Sequence, residues 1–366
     1  MSTVTLDEMR GSLLSLDSVR EVLEATEPLS ELGLTVGSTH FTLGSGWNHG
    51  LDTIPDNAPV EAHVEVGGTE IPLSKAALLQ ATSKVGLPAA YVKKTPASLI
   101  EANLNYWYGD EGGLGDKQLK LLVTRDLGSA VTASTINPFS NLRLLDEALA
   151  GVEKKFGKGE VLVDSKFHHS LTRTNLRLII PEHIFTVSNS KTPNDVWSMG
   201  LNLQNSLTGD SGAQTSLDGY LFRWWCTNGA IDTHASSGTW SRKSGGQDAE
   251  SVYEWARESV DDVLGGLESA FGDLEQMART PVAGDVNQLL RETFQAYSLP
   301  ARSQRAIINN MVDDDEMTMY SLMQAITSVA NAADMSPREQ ATLMTIGGNL
   351  VYASNDRCDS CHQLVS

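Results

Sequence analysis

Residues 174–180 read Thr174-Asn175-Leu176-Arg177-Leu178-Ile179-Ile180, a stretch in which Arg177 stands between apolar neighbours. Successive side chains of a strand point to opposite faces, so Arg177 lies opposite Leu176 and Leu178. Three further segments read as strands, at residues 161–163, 195–203 and 219–226, with clusters of Ser, Asn, Gly and Thr between them. The pattern predicts an antiparallel sheet in the middle of the chain.

The N-terminal part combines short helices with loop signals. One helix is predicted at 17–26, and an irregular stretch rich in Gly and Pro follows it. Ser74 can cap a second helix that runs to about Val85, and Thr95-Pro96 can start a third that ends near Gly109. The next predicted elements are strands at 120–124 and 130–135, a leucine-rich helix at 141–150, and a boundary or exposed turn at 151–159.

Helical spacing of apolar residues takes over after residue 247. The predicted helices cover 248–271, 285–297, 301–310, 316–331 and 337–353. The last has the pattern of a capping box, with Ser336 as cap, Pro337 first and Glu339 third. The fold class is therefore predicted as α+β, with a central antiparallel sheet, N-terminal helices and a C-terminal helical region. The predicted segments are an irregular or short-helix part (1–72), an α+β core (73–245), a helical region (246–355) and a flexible tail (356–366).

Composition predicts a folded protein, because 40% of the 366 residues are hydrophobic and 20% are charged. The chain has neither a secretory leader nor a membrane-spanning apolar run, and its three cysteines fit a reducing compartment, so we expect a cytoplasmic protein without a membrane. The net charge of −19 is unevenly spread. Residues 151–245 hold 10 Lys/Arg against 8 Asp/Glu, whereas the flanking parts carry −9 and −12. A polyanion should therefore bind the middle segment.

Candidate nucleic-acid-binding residues fall into two groups in this segment. The basic group is Lys154, Lys155, Lys158, Lys166, Arg173 and Arg177, interleaved with Phe156 and Phe167. Such residues suit a groove that follows a phosphate backbone, and the alternative is an ordinary basic surface. The second group is Arg223, Trp224 and Trp225, in which an exposed ring could stack on an unpaired base. The alternative for this group is a core residue followed by a tight turn.

Two further clusters carry metal-ligand residue types. Cys358, Cys361 and His362 offer three of the four ligands that structural zinc needs, with Cys226 or a second subunit as the fourth. The alternative is a frayed tail without any cofactor. Residues 313–316 are all acidic and could hold magnesium, but acidic residues at the start of a helix also complement its dipole.

Three stretches resemble a phage/plasmid-like protein family that carries domain of unknown function 932. They are Asn205-Ser206-Leu207-Thr208-Gly209, the run from Tyr220 to Ala230 with its Arg223-Trp224-Trp225-Cys226-Thr227-Asn228-Gly229, and the run from Thr318 to Thr327. The resemblance implies a phage, prophage or plasmid setting and a role in handling DNA or modifying host functions. It implies no catalytic residue.

These observations lead to one functional hypothesis and two alternatives. The hypothesis is a non-enzymatic accessory protein of a mobile element that binds or anneals single-stranded DNA. Its strands-then-helices order resembles that of annealing proteins that form rings, which suggests a homo-oligomer. One alternative is an interaction protein that targets a host protein through the acidic helical region. The other is a metal-dependent enzyme.

Overall fold

The computed structural model shows a mixed α+β fold and confirms the predicted fold class. It describes residues 13–28, 30–34, 38–47, 51–109, 118–134, 138–190, 195–207, 215–224, 228–232, 249–282, 286–311, 317–330, 332 and 335–353. Over these residues the chain forms ten helices and two sheets of six strands each. No helix among them has both the length and the apolar character needed to cross a membrane.

The first sheet is built from residues 30–133. Its strands are β1 (Ser30–Leu34), β2 (Thr39–Leu43), β3 (Pro59–Val66), β4 (Thr69–Ser74), β5 (Leu119–Thr124) and β6 (Leu127–Ala133), in the order β1-β5-β6-β4-β3-β2. Only the β4–β6 pairing is parallel. The segment that the sequence assigns to irregular structure thus contains four strands. The sequence of β3 does contain a short strand pattern, because Val60, Ala62 and Val64 alternate with polar residues, and all three are buried.

Three helices accompany this sheet: α2 (Lys75–Lys84), α3 (Ala89–Val92) and α4 (Ala97–Tyr108). As predicted, Ser74 caps α2, and its Oγ accepts a hydrogen bond from the amide of Ala77 at 3.0 Å. Helix α4 covers the edge strand β2. The amide group of Asn105 bonds to both the N–H and the C=O of Phe41, and Glu101 Oε2 accepts from the N–H of Leu43. Side chains therefore take the place of a further strand at this edge.

The second sheet is the predicted antiparallel sheet. Its strands are β7 (Leu162–Val163), β8 (His168–His169), β9 (Arg173–Val187), β10 (Asp195–Ser206), β11 (Thr215–Arg223) and β12 (Asn228–Asp232). The order is β12-β11-β10-β9-β7, and β8 also pairs with β9. Gly200 sits at a register shift in β10, where a Cβ atom would lie 1.9 Å from the carbonyl oxygen of Leu178. Glycine is the residue that fits this close approach.

Seven helices accompany the second sheet. They are α1 (Leu16–Thr26), α5 (Asn141–Phe156), α6 (Ala249–Arg279), α7 (Val286–Ala296), α8 (Ala301–Met311), α9 (Met319–Val329) and α10 (Pro337–Ala353). All five predicted C-terminal helices are present. The capping box of α10 is also confirmed, because Ser336 N donates to Glu339 Oε2 at 3.2 Å and Glu339 N to Ser336 Oγ at 3.3 Å.

The predicted turn at 151–159 is wrong in its first half, because α5 continues to Phe156 and ends at Gly157 with φ +83°. Gly151 is buried where α5 crosses α6, and a Cβ atom there would meet the carbonyl oxygen of Arg257 at 2.6 Å. This glycine allows two helices to approach closely rather than ending one.

The buried apolar residues form two large cores. The first core consists of residues from β1 to β6 along the chain and includes Phe41, Leu78 and Leu104. The second begins in α1 with Val19 and Leu23 and continues from Phe139 to Val351. The chain leaves the second core after α1, builds the first sheet and returns at α5. Glu27 fixes this return, since its Oε1 accepts from Ser140 Oγ and Leu142 N, both at 3.0 Å.

Candidate functional site

The predicted basic residues do not form one surface. Lys155 at the end of α5 is paired with Asp261 of α6 at 2.7 Å, whereas Lys154 and Lys158 are exposed. The neighbouring ring of Phe156 stacks on His183 near the end of β9, while Arg173 begins that strand. Ten residues of strand separate Arg173 from His183, which is about 33 Å. The lysines of α5 and Arg173 therefore lie near opposite ends of β9.

Arg223, one of the predicted stacking group, is part of a buried ion pair. Its Nε and Nη2 donate to the two carboxylate oxygens of Asp195 at 2.6 and 2.7 Å. Tyr320 and Gln324 of α9 bond to the same pair. Burial raises the pKa of Tyr320, so this phenol stays protonated and donates to Asp195. The arrangement ties β10 and β11 to α9.

Trp224 is also enclosed, because β11 ends at Arg223 and the ring turns into the protein, where it is 2% exposed. Its Nε1 donates to Ser198 Oγ at 2.7 Å, and its ring packs edge-on against Phe222. Trp224 therefore offers no free face to a base. Trp225 lies outside the described residues, as do residues 313–316 and the predicted zinc ligands Cys226, Cys358, Cys361 and His362. Within the described part of the chain, no three His, Cys, Asp or Glu side chains cluster as metal ligands would.

The second sheet has one apolar and one polar face. Leu176, Leu178, Leu201, Leu203, Leu217 and Leu221 share the apolar face. Helix α6 packs there, with Phe271 stacked on Phe185 at 5.1 Å between ring centroids. On the polar face, Asn202 stands directly opposite Arg177 on one neighbour and Asp218 on the other.

Arg177 lies in a buried network on this polar face. Its Nη1 is 3.5 Å from Asp164 Oδ2, and the hydroxyl of Tyr220 donates to the same oxygen at 2.9 Å. Burial, and then the charge of Asp164, raise the pKa of Tyr220. Arg177 is 2% exposed, so it is not on the surface that the sequence predicted for it.

Three polar atoms on this face have no hydrogen-bond partner among the described residues. They are Asn175 Oδ1, Arg177 Nε and Asn202 Oδ1, and all three are buried. Asn175 precedes Arg177 by two residues on β9, and Asn202 is paired with Arg177, so the atoms belong to adjacent positions of one face. Buried polar groups in proteins are usually bonded, so this row of the sheet differs from the rest of the interior in that the described residues do not complete its hydrogen bonds.

A cavity of about 480 Å³ opens beside Asn175. It is lined by His168, Arg173 and Asn175 from the second sheet, by Tyr297, and by Ser336, Ala341, Thr342 and Thr345 at and in α10. Burial lowers the pKa of His168, the nearby charge of Arg173 lowers it further, and Asp56 opposes the shift. His168 is therefore neutral at pH 7, and Arg173 is the cation of the cavity wall.

Sequence analysis identified Arg173 but missed the rest of this site. Tyr297 and the residues of α10 lie more than 100 positions from Arg173, and nothing in their local sequence distinguishes them from other helix-surface residues. For Asn175 a signal existed, since an asparagine beside Leu176 on a predicted strand of a buried sheet must be bonded or bind something.

The chain was compared with protein-family models, with curated proteins and with solved structures, and none of the three comparisons gives a match.

Proposed function

We propose that this protein binds single-stranded nucleic acid, without catalysis, in the cavity between β9 and α10, and serves as an accessory protein of a phage or plasmid. The observation that supports this most directly is the composition of the cavity wall. One arginine, one aromatic ring and several hydroxyl and amide groups converge on a space large enough for a nucleotide unit.

Each class of side chain suits one part of a nucleotide. The guanidinium group of Arg173 is exposed and can form two parallel hydrogen bonds to a phosphate. Gln204 accepts from Arg173 Nη2 at 3.2 Å and helps to orient it. The half-buried ring of Tyr297 is positioned by Asn349, whose amide donates to the tyrosine hydroxyl at 2.6 Å. A ring fixed in this way is a platform on which a base can stack.

A single strand fits this site better than a duplex. Duplex DNA is recognised over a broad basic surface, and this chain carries a net charge of −19 with its predicted basic residues far apart or buried. A concave site with one cation and one ring requires an unstacked nucleotide, which only a single strand offers readily.

The mobile-element setting and an annealing role rest on the sequence resemblance in residues 205–230 and 318–327. The architecture is compatible with them, because long antiparallel strands β9, β10 and β11 are followed by the 31-residue helix α6. This order is the one that resembles ring-forming annealing proteins, and we include self-association in the proposal.

The decisive variant is Arg173→Glu. We expect it to weaken binding of a fluorescent (dT)20 oligonucleotide at least 10-fold in an anisotropy titration, and to reduce the slope of log K against log[salt] by about 1, because one phosphate contact is lost. Lys158→Glu is the matched control, since it makes the same charge change on an exposed side chain, 3.9 Å from Glu153, near the other end of β9. Equal losses in both variants would show a nonspecific charge effect, and no binding by the unmodified protein would refute the proposal.

A further inference from the structure

We propose that His168 is a second phosphate-binding residue of the cavity and that it binds in its protonated form, so that a single strand is held more tightly as the pH falls. This inference rests on the proposed function, because it concerns the same cavity and the same strand. Arg173 is the permanent cation of the cavity wall, and His168 becomes a cation only when it takes up a proton.

The pairing of β8 with β9 places His168 beside Arg173. His168 stands directly opposite Asn175, which is two residues from Arg173, so His168 and Arg173 are diagonal neighbours on one face of the sheet. Diagonal neighbours are about 7–8 Å apart, and both of these residues line the cavity. Arg173 is exposed and His168 is half-buried, so a ligand in the cavity can meet both. A phosphate group between them can accept hydrogen bonds from the two side chains.

The surroundings of His168 keep it neutral in the free protein. Burial, and then the charge of Arg173, lower the pKa of His168 below its ordinary value of 6.5, and Asp56 opposes them. Asp56 is an exposed carboxylate that is itself paired with Lys75 at 3.0 Å. The next residue of β8, His169, is neutral at pH 7 as well, because its pKa is lowered to about 4.

The opposite wall of the cavity is built in the same way. Glu339 lies beside the lining residue Ser336 and is paired with Arg302 at 2.5 Å. Tyr297 contributes a phenol that accepts a hydrogen bond from Asn349. Both nearby carboxylates, Asp56 and Glu339, are thus matched by cations of their own, and a phosphate in the cavity brings a new negative charge to His168.

A bound phosphate raises the pKa of His168, because a nearby negative charge favours the protonated ring. The complex then takes up a proton that the free protein does not hold at pH 7, so the affinity rises as the pH falls from 7.5 to 5.5. The phosphodiester and thymine groups of (dT)20 do not titrate in this range. The change in affinity therefore comes from the protein.

The test measures the affinity of fluorescent (dT)20 for the full chain at pH 7.5, 6.5 and 5.5. The unmodified protein should bind about 3- to 10-fold more tightly at pH 5.5 than at pH 7.5, the gain from a neutral to a charged hydrogen bond. Its slope of log K against log[salt] should also steepen by about 0.7, because one more phosphate charge is neutralised. His168→Gln should lose both responses. His183→Gln is the matched control, since it removes a histidine near the other end of β9 and should keep them.

A second variant decides the matter if His168→Gln folds poorly. In His168→Lys the side chain is charged at all three pH values, so this protein should bind at pH 7.5 as tightly as the unmodified protein does at pH 5.5, with no further gain. A response that survives in either variant, or that is lost equally in His183→Gln, refutes the role of His168.

The remaining outcomes separate this inference from the proposed function. If the unmodified protein binds (dT)20 equally well at all three pH values, the role of His168 is refuted and the proposed function stands. If it does not bind at any of them, the proposed function itself fails. Displacement of (dT)20 by 1 mM inorganic phosphate would make the cavity a site for free phosphate and overturn the strand as its ligand.

Discussion

The second sheet holds its two buried arginines in different ways. Arg223 makes two short bonds to Asp195 and a further bond to Gln324, so its charge is fully matched inside the protein. Arg177 has a single ion-pair distance of 3.5 Å, and its Nε is unpaired among the described residues. Arg223 therefore has all its bonds within the protein, whereas Arg177, two residues from the cavity-lining Asn175, has an Nε without a partner among the described residues.

Replacing Arg223 should therefore destabilise the folded protein strongly. We expect Arg223→Met to lower the free energy of unfolding by about 3–5 kcal/mol, because it leaves the carboxylate of Asp195 buried without its cation. The control is Arg143→Met, which breaks the exposed ion pair with Glu250 and should cost far less, because solvent screens an exposed pair. Urea denaturation of both variants measures the difference, and comparable losses would show that burial does not matter at this pair.

His169 should make stability depend on pH. It is held between Thr26 of α1 and Thr174 of β9, and burial, followed by the charge of His168, lowers its pKa from 6.5 to about 4. Between these values the unfolded chain binds the proton and the folded chain does not, so stability is lost as the pH falls from about 7 to 4. His169→Gln keeps a polar side chain without this titration.

Urea midpoints of the two proteins at several pH values test this expectation. The unmodified protein should lose up to about 3 kcal/mol more than His169→Gln on acidification from pH 7 to 4, since each pKa unit is worth about 1.4 kcal/mol. The comparison cancels the carboxylates, which titrate in both proteins. Parallel curves would mean that His169 is as easily protonated in the folded state as in the unfolded one.

Helices α5 and α6 each contain a glycine, and the two glycines have different effects on packing. Gly151 of α5 is at the crossing, with the carbonyl oxygen of Arg257 and the side chain of Val260 within 2.7 Å of any added Cβ atom. Gly272 of α6 is exposed, and a Cβ atom there would meet nothing within 4 Å. One glycine sets the distance between two helices, and the other only weakens its helix.

Alanine should change the stability of the protein in opposite directions at these two positions. Gly272→Ala should stabilise the protein by about 0.5–1 kcal/mol, because alanine has the higher helix propensity and no contact is disturbed. Gly151→Ala should destabilise it by about 1–3 kcal/mol, the usual cost of overpacking. Thermal and urea unfolding of both variants give the signs, and a stabilised Gly151→Ala protein would show that the helices can separate freely.

At the scale of the whole molecule, the features that the sequence predicts correctly are those that depend on residues close together in the chain. The Ser74 cap, the Ser336–Glu339 capping box and the five C-terminal helices depend on neighbours within a turn or two, and all are found. Four strands of the first sheet were missed: β1 pairs with β5 about 90 positions away, and β2, β3 and β4 are neighbouring strands of only five to eight residues, too short for a strong alternating pattern. The cavity was missed because Arg173 and α10 line it together only through the tertiary fold.

The return of the chain from the first sheet to the second core has a consequence for synthesis on the ribosome. Helix α1 is made early, but its partner α5, to which Arg20 is tied through Asp146, begins about 115 residues later. At about 5–20 residues per second, α1 waits roughly 6–23 seconds for this partner. All residues of the first sheet, from Ser30 to Ala133, are synthesised during that interval. Glu27 can form its bonds to Ser140 and Leu142 only after this whole segment has been made.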